Sequence, residues 1–310
     1  MTSPQVTRED SSFASDGERC AAWLYRPQLE TGAKLPAVVM AHGFAAQRVF
    51  GLPEYAKRFA ERGLAVLLFD YRHFGDSEGE PRDMVDHRRQ HRDWIAAIEH
   101  AKSIDAVDAD SIGLWGSSYS GGHVISVAAE CTAGVAGTRG VKAVVSQVPM
   151  LDVLRAARLR PGYVLRALGH IAIDYTAAML GRGPHYIRTV AEPPRFAAMN
   201  QTGCDAGYRA IIPPEAAWQN RCTARSLWTS LSFRPARQAA RVRCPVMMVI
   251  AERDQVIRAR VTEAAARRIP DATVLRLPVD HFGIYQGELY EQISRQQADF
   301  FVRHLIQRAS

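Results

Sequence analysis

A series of short apolar runs, spaced so that a helix fits between most of them, constrains this chain more than any other feature. Residues 37–41 (A-V-V-M-A) and 64–69 (L-A-V-L-L-F) are apolar throughout, and 111–115, 141–148, 244–251 and 272–277 follow with few polar interruptions. A strand without a polar face is covered on both faces, as in the middle of a parallel sheet. Segments 52–62, 85–101, 121–130 and 260–268 read as helices between the runs, and a last helix is expected over 288–307. Strand and helix in alternation give β-α-β units, so the fold class is α/β with a mostly parallel, doubly wound sheet. Residues 20–25, closed by Pro27, add one strand of an N-terminal antiparallel pair turned at Asp16-Gly17.

One stretch breaks the alternation. Residues 153–243 are too many for a loop and hold no buried strand; helical patches at 153–159, 163–180 and 223–231 are separated by Gly183-Pro184, Pro193-Pro194 and Pro213-Pro214. They read as a helical cap inserted into a catalytic core formed by residues 1–152 and 244–310. The charge divides the same way. Against a net +7 for the chain, residues 153–243 carry fourteen arginines and four acids (Asp174, Glu192, Asp205, Glu215), a net +10 that leaves −3 for the core. A cationic cap suits an anionic substrate or an acidic carrier protein as partner, and a solvated basic surface is the plain alternative.

Other classes fall away. The chain has no nucleic-acid motif, and its aromatics do not interleave with basic residues as a stacking platform requires, so no nucleic-acid partner is expected. No stretch reaches the roughly 18 apolar residues of a membrane span, and residues 1–12 lack the apolar core of a secretory signal. A cytoplasmic protein is the expectation. The five cysteines are odd in number and never paired as C-x-x-C, which indicates neither a disulfide framework nor a zinc ribbon. The oligomeric state is left open.

Gly-Leu-Trp-Gly-Ser-Ser-Tyr-Ser-Gly-Gly, residues 113–122, follows a predicted strand and opens a predicted helix. A serine on such a sharp turn is a nucleophile elbow, and the residues two before and two after it must be small because strand and helix backbones approach there. Ser117 is flanked by Trp115 and Tyr119, which are too bulky. Ser120 falls a turn into the helix. Ser118 lies between Gly116 and Ser120 and is the candidate nucleophile, with Ser120 where a glycine is usual.

A serine hydroxyl needs a base, and the base an orienting acid. Asp254 follows the run at 244–251 and His281 follows the run at 272–277, so the order is Ser, Asp, His, each at the carboxyl end of a predicted parallel strand. Glu252 and Asp280 neighbour these positions, with Glu252 facing the other way by alternation, and Asp152 is a displaced alternative acid. His42 reads as a turn brace. His87 and His91, at helical i, i+4 spacing without the glutamate of a metalloprotease helix, read as solvent-facing. Backbone N–H groups of Phe44, in His42-Gly43-Phe44-Ala45, and of Tyr119 are the candidate oxyanion donors. The chemistry needs no metal or organic cofactor.

With these residues in hand the sequence resembles the α/β-hydrolase superfamily. The matching features are the His42-Gly43-Phe44 turn, Phe69-Asp70-Tyr71-Arg72 with Gly75-Asp76-Ser77 behind it, Gly116-x-Ser118-x-Ser120, Asp254 and His281, over about residues 20–306. The elbow, with Tyr119 after the nucleophile, is similar to the branch of Xaa-Pro dipeptidyl-peptidase-like and serine-aminopeptidase-like hydrolases, itself similar to polyketide-releasing acyl transferases. The resemblance implies a structural role for Asp70 and Asp76. With Phe44 at the oxyanion position, the tyrosine hydroxyl that such peptidases place there has no counterpart. The expected function is hydrolysis of a carboxylic ester of a small or medium hydrophobic acyl group through Ser118, His281 and Asp254. A thioesterase or acyltransferase acting on a carrier-bound or coenzyme A thioester is the alternative, and a non-catalytic binding protein is a third class. Dehalogenase and epoxide hydrolase chemistry would need a carboxylate at position 118.

Overall fold

The computed structural model describes residues 4–28, 34–131, 134, 138–156 and 161–307. Strands β1 (Val6–Ser15) and β2 (Glu18–Pro27) form the N-terminal hairpin, with Asp16 and Gly17 both at positive φ in its two-residue turn. Then come β3 (Leu35–Ala41), α1 (Pro53–Ala60), β4 (Ala65–Phe69), α2 (His87–Ser103), β5 (Val107–Ser117), α3 (Tyr119–Cys131) and β6 (Val141–Gln147). Every residue of β4 is buried, as its unbroken apolar run requires. Pro53 opens α1, where its missing N–H is no loss. Asp86 caps α2 by accepting from the backbone N–H groups of Arg88 and Arg89.

Residues 153–243 lie between β6 and the rest of the sheet. They form α4 (Val153–Ala156), α5 (Pro161–Met179), β7 (Tyr186–Ile187), α6 (Cys204–Ala210), β8 (Cys222–Thr223) and α7 (Arg225–Leu231). The predicted helix over 153–159 is seen to residue 156, and its remainder lies outside the described residues. The expectation that this stretch lacks buried strands needs correction. β7 and β8 pair antiparallel, with Ile187, Cys222 and Thr223 buried. Strands of two residues are too short to show alternation. Asp174 of α5 is fully buried and accepts from the backbone N–H groups of His185 and Arg225 and from the Arg225 guanidinium, which joins α5 to the start of α7.

The sheet resumes with β9 (Val246–Ala251), α8 (Ala259–Ala266), β10 (Ala272–Leu277) and α9 (Gly287–Phe301), which runs into a π-helical turn at Val302–Ile306. Strand order is β1-β2-β4-β3-β5-β6-β9-β10. From β4 to β10 all pairs are parallel, and β1 and β2 are attached antiparallel. Parallel strands end on the same edge, so the residues after β3, β5, β9 and β10 open on one side of the sheet. That edge carries His42, Ser118, Asp254 and His281. Among the described residues no helix is long and apolar enough to cross a membrane.

The Phe69-Asp70-Tyr71-Arg72 segment braces the flank of this edge. Arg72, almost fully buried, donates to Asp93 of α2 at 2.7 Å and to Ser15 at 2.5 Å, and pairs with Asp16 at 3.0 Å, so one side chain joins the hairpin, the end of β4 and α2. Asp70 accepts from the Arg48 backbone N–H at 2.6 Å and from its guanidinium. Replacing Asp93 by alanine removes the buried partner of Arg72 and leaves only the more exposed Asp16 and Glu18, and is expected to cost about 3 kcal/mol. Thermal denaturation should show a midpoint lower by about 10 °C.

Candidate active site

Ser118 stands between the last residue of β5 and the first of α3, with φ +56°. An L-residue in the left-handed region is strained, and the surroundings hold it there. Its N–H donates to the Gln147 carbonyl at 2.8 Å, and its carbonyl accepts from Met150 N–H at 2.9 Å. The glycines supply clearance. A Cβ on Gly116 would lie 2.3 Å from the Ser120 carbonyl oxygen, and one on Gly122 would lie 2.2 Å from that of Met150.

The three serines of the elbow have separate surroundings. Ser117 is turned to a buried polar chain, 2.5 Å from the Tyr285 hydroxyl and accepting from Gln147 Nε2. Ser120 donates through Oγ to the His42 carbonyl at 2.5 Å. Ser118 Oγ lies 3.0 Å from His281 Nε2. The other ring nitrogen of His281, Nδ1, lies 2.7 Å from Asp254 Oδ2. Asp254 Oδ1 accepts from the backbone N–H groups of Val256 and Ile257, at 2.7 Å each, so both carboxylate oxygens are engaged. Asp254 and His281 are buried.

Because a carboxylate can only accept, Nδ1 carries the imidazole proton and Nε2 is left to take one from Ser118. This arrangement can draw a proton from a serine hydroxyl and return it to another atom at the same place. The competing acids are elsewhere. Glu252 is exposed, Asp280 accepts from the N–H groups of Phe282 and Gly283, and Asp152 accepts from Arg155 N–H at the start of α4.

The His42-Gly43-Phe44 turn lies against Ser118: a Cβ on Gly43 would be 3.1 Å from Ser118 Cβ and 3.5 Å from its Oγ. Among the described residues the backbone N–H groups of Phe44 and Tyr119 have no hydrogen-bond acceptor. His42 is a brace. It is fully buried, burial pushes its pKa down to about 3, Nδ1 donates to Gly43 O at 3.0 Å, and Nε2 accepts from Tyr71 N–H at 3.4 Å. A relay behind it was not foreseen from the sequence. Trp94 Nε1 donates to the Tyr71 hydroxyl at 2.7 Å, Tyr71 bonds Ser120, and Ser120 bonds the His42 carbonyl. Serine in place of the usual glycine was the visible signal. His87 and His91 are half-buried rather than solvent-facing: His87 packs on Phe233 and His91 bonds Glu130 at 2.8 Å. No cluster of His, Cys, Asp and Glu among the described residues is arranged to hold a metal.

Two hollows meet at Ser118. The larger, about 930 Å³ including space open to solvent, is walled by Phe44 and Tyr119 from the core and by Tyr163, Ala167, Ile171 and Leu227 from α5 and α7. Among the described residues no charged side chain lines it, so the described arginines of residues 153–243 stay out of it. The smaller, about 400 Å³, contains His281 with Phe50, Tyr208, Phe282 and Tyr285 around it.

Comparison with known proteins gives the family and the fold. The model of the X-Pro dipeptidyl-peptidase (S15) family matches residues 16–282. The quorum-quenching protein AidA of Acinetobacter baumannii is 35% identical over 295 residues, 95% of this chain and 94% of that protein. A thiohydrolase of Aspergillus aculeatus is 28% identical, with 86% of this chain and 84% of that one covered. The crystal structure of the α/β hydrolase GrgF from Penicillium sp. sh18 has a TM-score of 0.81 and 26% identity, covering 96% of this chain and 99% of that one.

The elbow's clearances are testable. In Gly116→Ala the new Cβ meets backbone, which cannot rotate away, so the turn must open. The variant should lose reaction with a fluorophosphonate probe by at least about tenfold while keeping its far-ultraviolet circular dichroism. Labelling at the parental rate would show that the turn tolerates the methyl group.

Proposed function

The chain belongs to the X-Pro dipeptidyl-peptidase (S15) family and is an enzyme of the α/β-hydrolase superfamily, and from that starting point we propose that it is a serine hydrolase cleaving carboxylic esters of small or medium apolar acyl groups. The observation that carries this reading is the hydrogen-bonded line from Asp254 through His281 to Ser118, ending at the floor of an uncharged cavity. Residues 153–243 serve as the cap that roofs it.

In this mechanism Ser118 Oγ attacks the acyl carbonyl and gives its proton to His281 Nε2. The Phe44 and Tyr119 N–H groups hold the oxyanion, each worth about 3 kcal/mol. The tetrahedral species collapses, the bond to the leaving oxygen breaks, and His281 supplies that oxygen with the proton. A water then gives a proton to His281 and attacks the acyl-Ser118 carbonyl. Release of the acid restores the serine hydroxyl. Since His281 protonates the leaving group, the leaving group occupies the hollow lined by His281, and the acyl chain fills the larger one. Among the described residues neither hollow is lined by a carboxylate that would pair with a peptide amine, which disfavours peptidase action.

A second reading keeps the same residues and exchanges the substrate for a thioester, with hydrolysis or transfer as the outcome. Relatives named thiohydrolase and polyketide transferase, matched over most of their length, favour it. The basic surface of residues 153–243 would then face an anionic substrate or an acidic carrier protein. Rates on oxygen ester and thioester of one acyl group, with and without added alcohol or amine, separate the readings.

The first prediction is that the parent reacts with a fluorophosphonate and Ser118→Ala does not; equal labelling would sink the assignment. The second concerns chain length. Ala167→Phe fills the larger hollow beside Ser118 and should lower kcat/KM for long acyl esters by about 10- to 100-fold while acetyl esters change little.

A further inference from the structure

The turn carrying Phe44 is held at three successive carbonyl groups. Ser120 Oγ donates to His42 O at 2.5 Å, His42 Nδ1 to Gly43 O at 3.0 Å, and the Tyr208 hydroxyl to Phe44 O at 3.1 Å. Each donor comes from a different part of the molecule. Ser120 belongs to α3, His42 to the turn itself, and Tyr208 to α6, within residues 153–243.

The third bond matters because of where the backbone goes next. Ala45 has φ +51°, so the chain leaves Phe44 through a region that no regular ladder supports. With the Gly43 carbonyl held on one side and the Phe44 carbonyl on the other, both peptides flanking Phe44 are fixed. The Phe44 N–H shares a plane with the Gly43 carbonyl, and the Tyr208 bond acts on it one peptide away, by limiting how far that plane can turn about the φ and ψ of Phe44. Without the Tyr208 hydroxyl, the Phe44–Ala45 peptide has lost the donor that orients it.

A second observation ties α6 to the catalytic edge. Gly207 lies so close to Phe282 that a Cβ would come within 2.3 Å of its ring, and Phe282 directly follows His281. The Tyr208 ring is packed edge-on to Phe50 and Phe282 and tilted against Trp218, with centroids 6.0, 6.2 and 5.6 Å away. Burial raises the phenol pKa well above its ordinary value, so the hydroxyl keeps its proton at any working pH. One short helix thus touches both the oxyanion turn and the histidine loop.

We propose that Tyr208 is a positioning residue for the oxyanion hole, and that the Phe44 N–H is correctly aimed only when α6 is seated on the core. The hole is then completed by the inserted segment rather than by the core alone.

The proposal rests on the serine hydrolase reading, and the test keeps the two apart. Tyr208→Phe removes one oxygen and leaves the ring packing, so the protein should fold with a thermal midpoint within a few degrees of the parent. Its kcat on an apolar ester is expected to fall about tenfold with KM changed less than about twofold. Affinity for a boronic acid that mimics the tetrahedral species should fall by the same factor as kcat/KM. Tyr208→4-aminophenylalanine restores a donor at the same place and should recover most of the rate. A parental kcat in Tyr208→Phe, a loss confined to KM, or failure of the amino analogue to recover activity would overturn the proposal. If Ser118→Ala stays active, the hydrolase reading itself fails; if Ser118→Ala is dead and Tyr208→Phe is normal, only the role of Tyr208 fails.

Discussion

Everything at the catalytic edge depends on holding one L-residue, Ser118, at φ +56° between a strand and a helix. The conformation costs on the order of 1 kcal/mol or more and is bearable only because its neighbours make every other arrangement worse. Gly116, Gly121 and Gly122 let α3 start immediately against β5 and the loop after β6. The Gln147 carbonyl and the Met150 N–H hold the Ser118 peptide groups from the adjacent strand end. The strain aims Oγ outward at His281, and a helix begins at once behind it, leaving the Tyr119 N–H without a helical acceptor. The outward Ser118 hydroxyl and the unpaired Tyr119 N–H therefore arise from a single backbone event.

That event was legible because its requirements are local. Small residues two away from a serine, after an apolar run and before a helical one, can be read from ten consecutive letters. Asp254 and His281 were legible for a different reason: in a parallel sheet every strand ends on the same side, so residues after the runs at 244–251 and 272–277 meet without any distance information. Tyr208 was hidden. Its helix has seven residues, C-D-A-G-Y-R-A, too few to show a stripe, and its bond to Phe44 spans 164 positions. β7 and β8 were hidden for the same lack of length. The Trp94–Tyr71–Ser120 relay was half visible, since Ser120 was recognised as an unusual occupant while its partners lie 26 and 49 residues away in sequence.

The charge distribution acquires a different meaning once the cavity is known. Residues 153–243 carry a net +10, yet their inward surface is apolar. Part of the basic set is absorbed internally: Arg225 pairs with buried Asp174, Arg221 with Asp83 and Arg209 with Asp205. Arg221 and Asp83 link the segment to the core, while Arg225 and Asp174 hold the segment to itself. The chemistry inside and the electrostatics outside are thus separate questions. An apolar inner surface and a basic outer one are compatible on this one segment.

The segment's apolar inner surface also bears on why α6 is so closely seated. An apolar roof over an apolar cavity gives no directional information, because dispersion and water exclusion favour any close packing. Direction has to come from hydrogen bonds with fixed partners, and α6 supplies one at the site where angle matters, the carbonyl of Phe44. Gly207 allows the approach, Tyr208 makes the bond, and Phe282 carries the same contact to His281, whose ring it meets edge-on at 5.0 Å. A larger side chain at 207 would lift α6 from both loops together. The Phe44 turn and the His281 loop are therefore set against a common reference, and that reference lies in the part of the chain that interrupts the sheet.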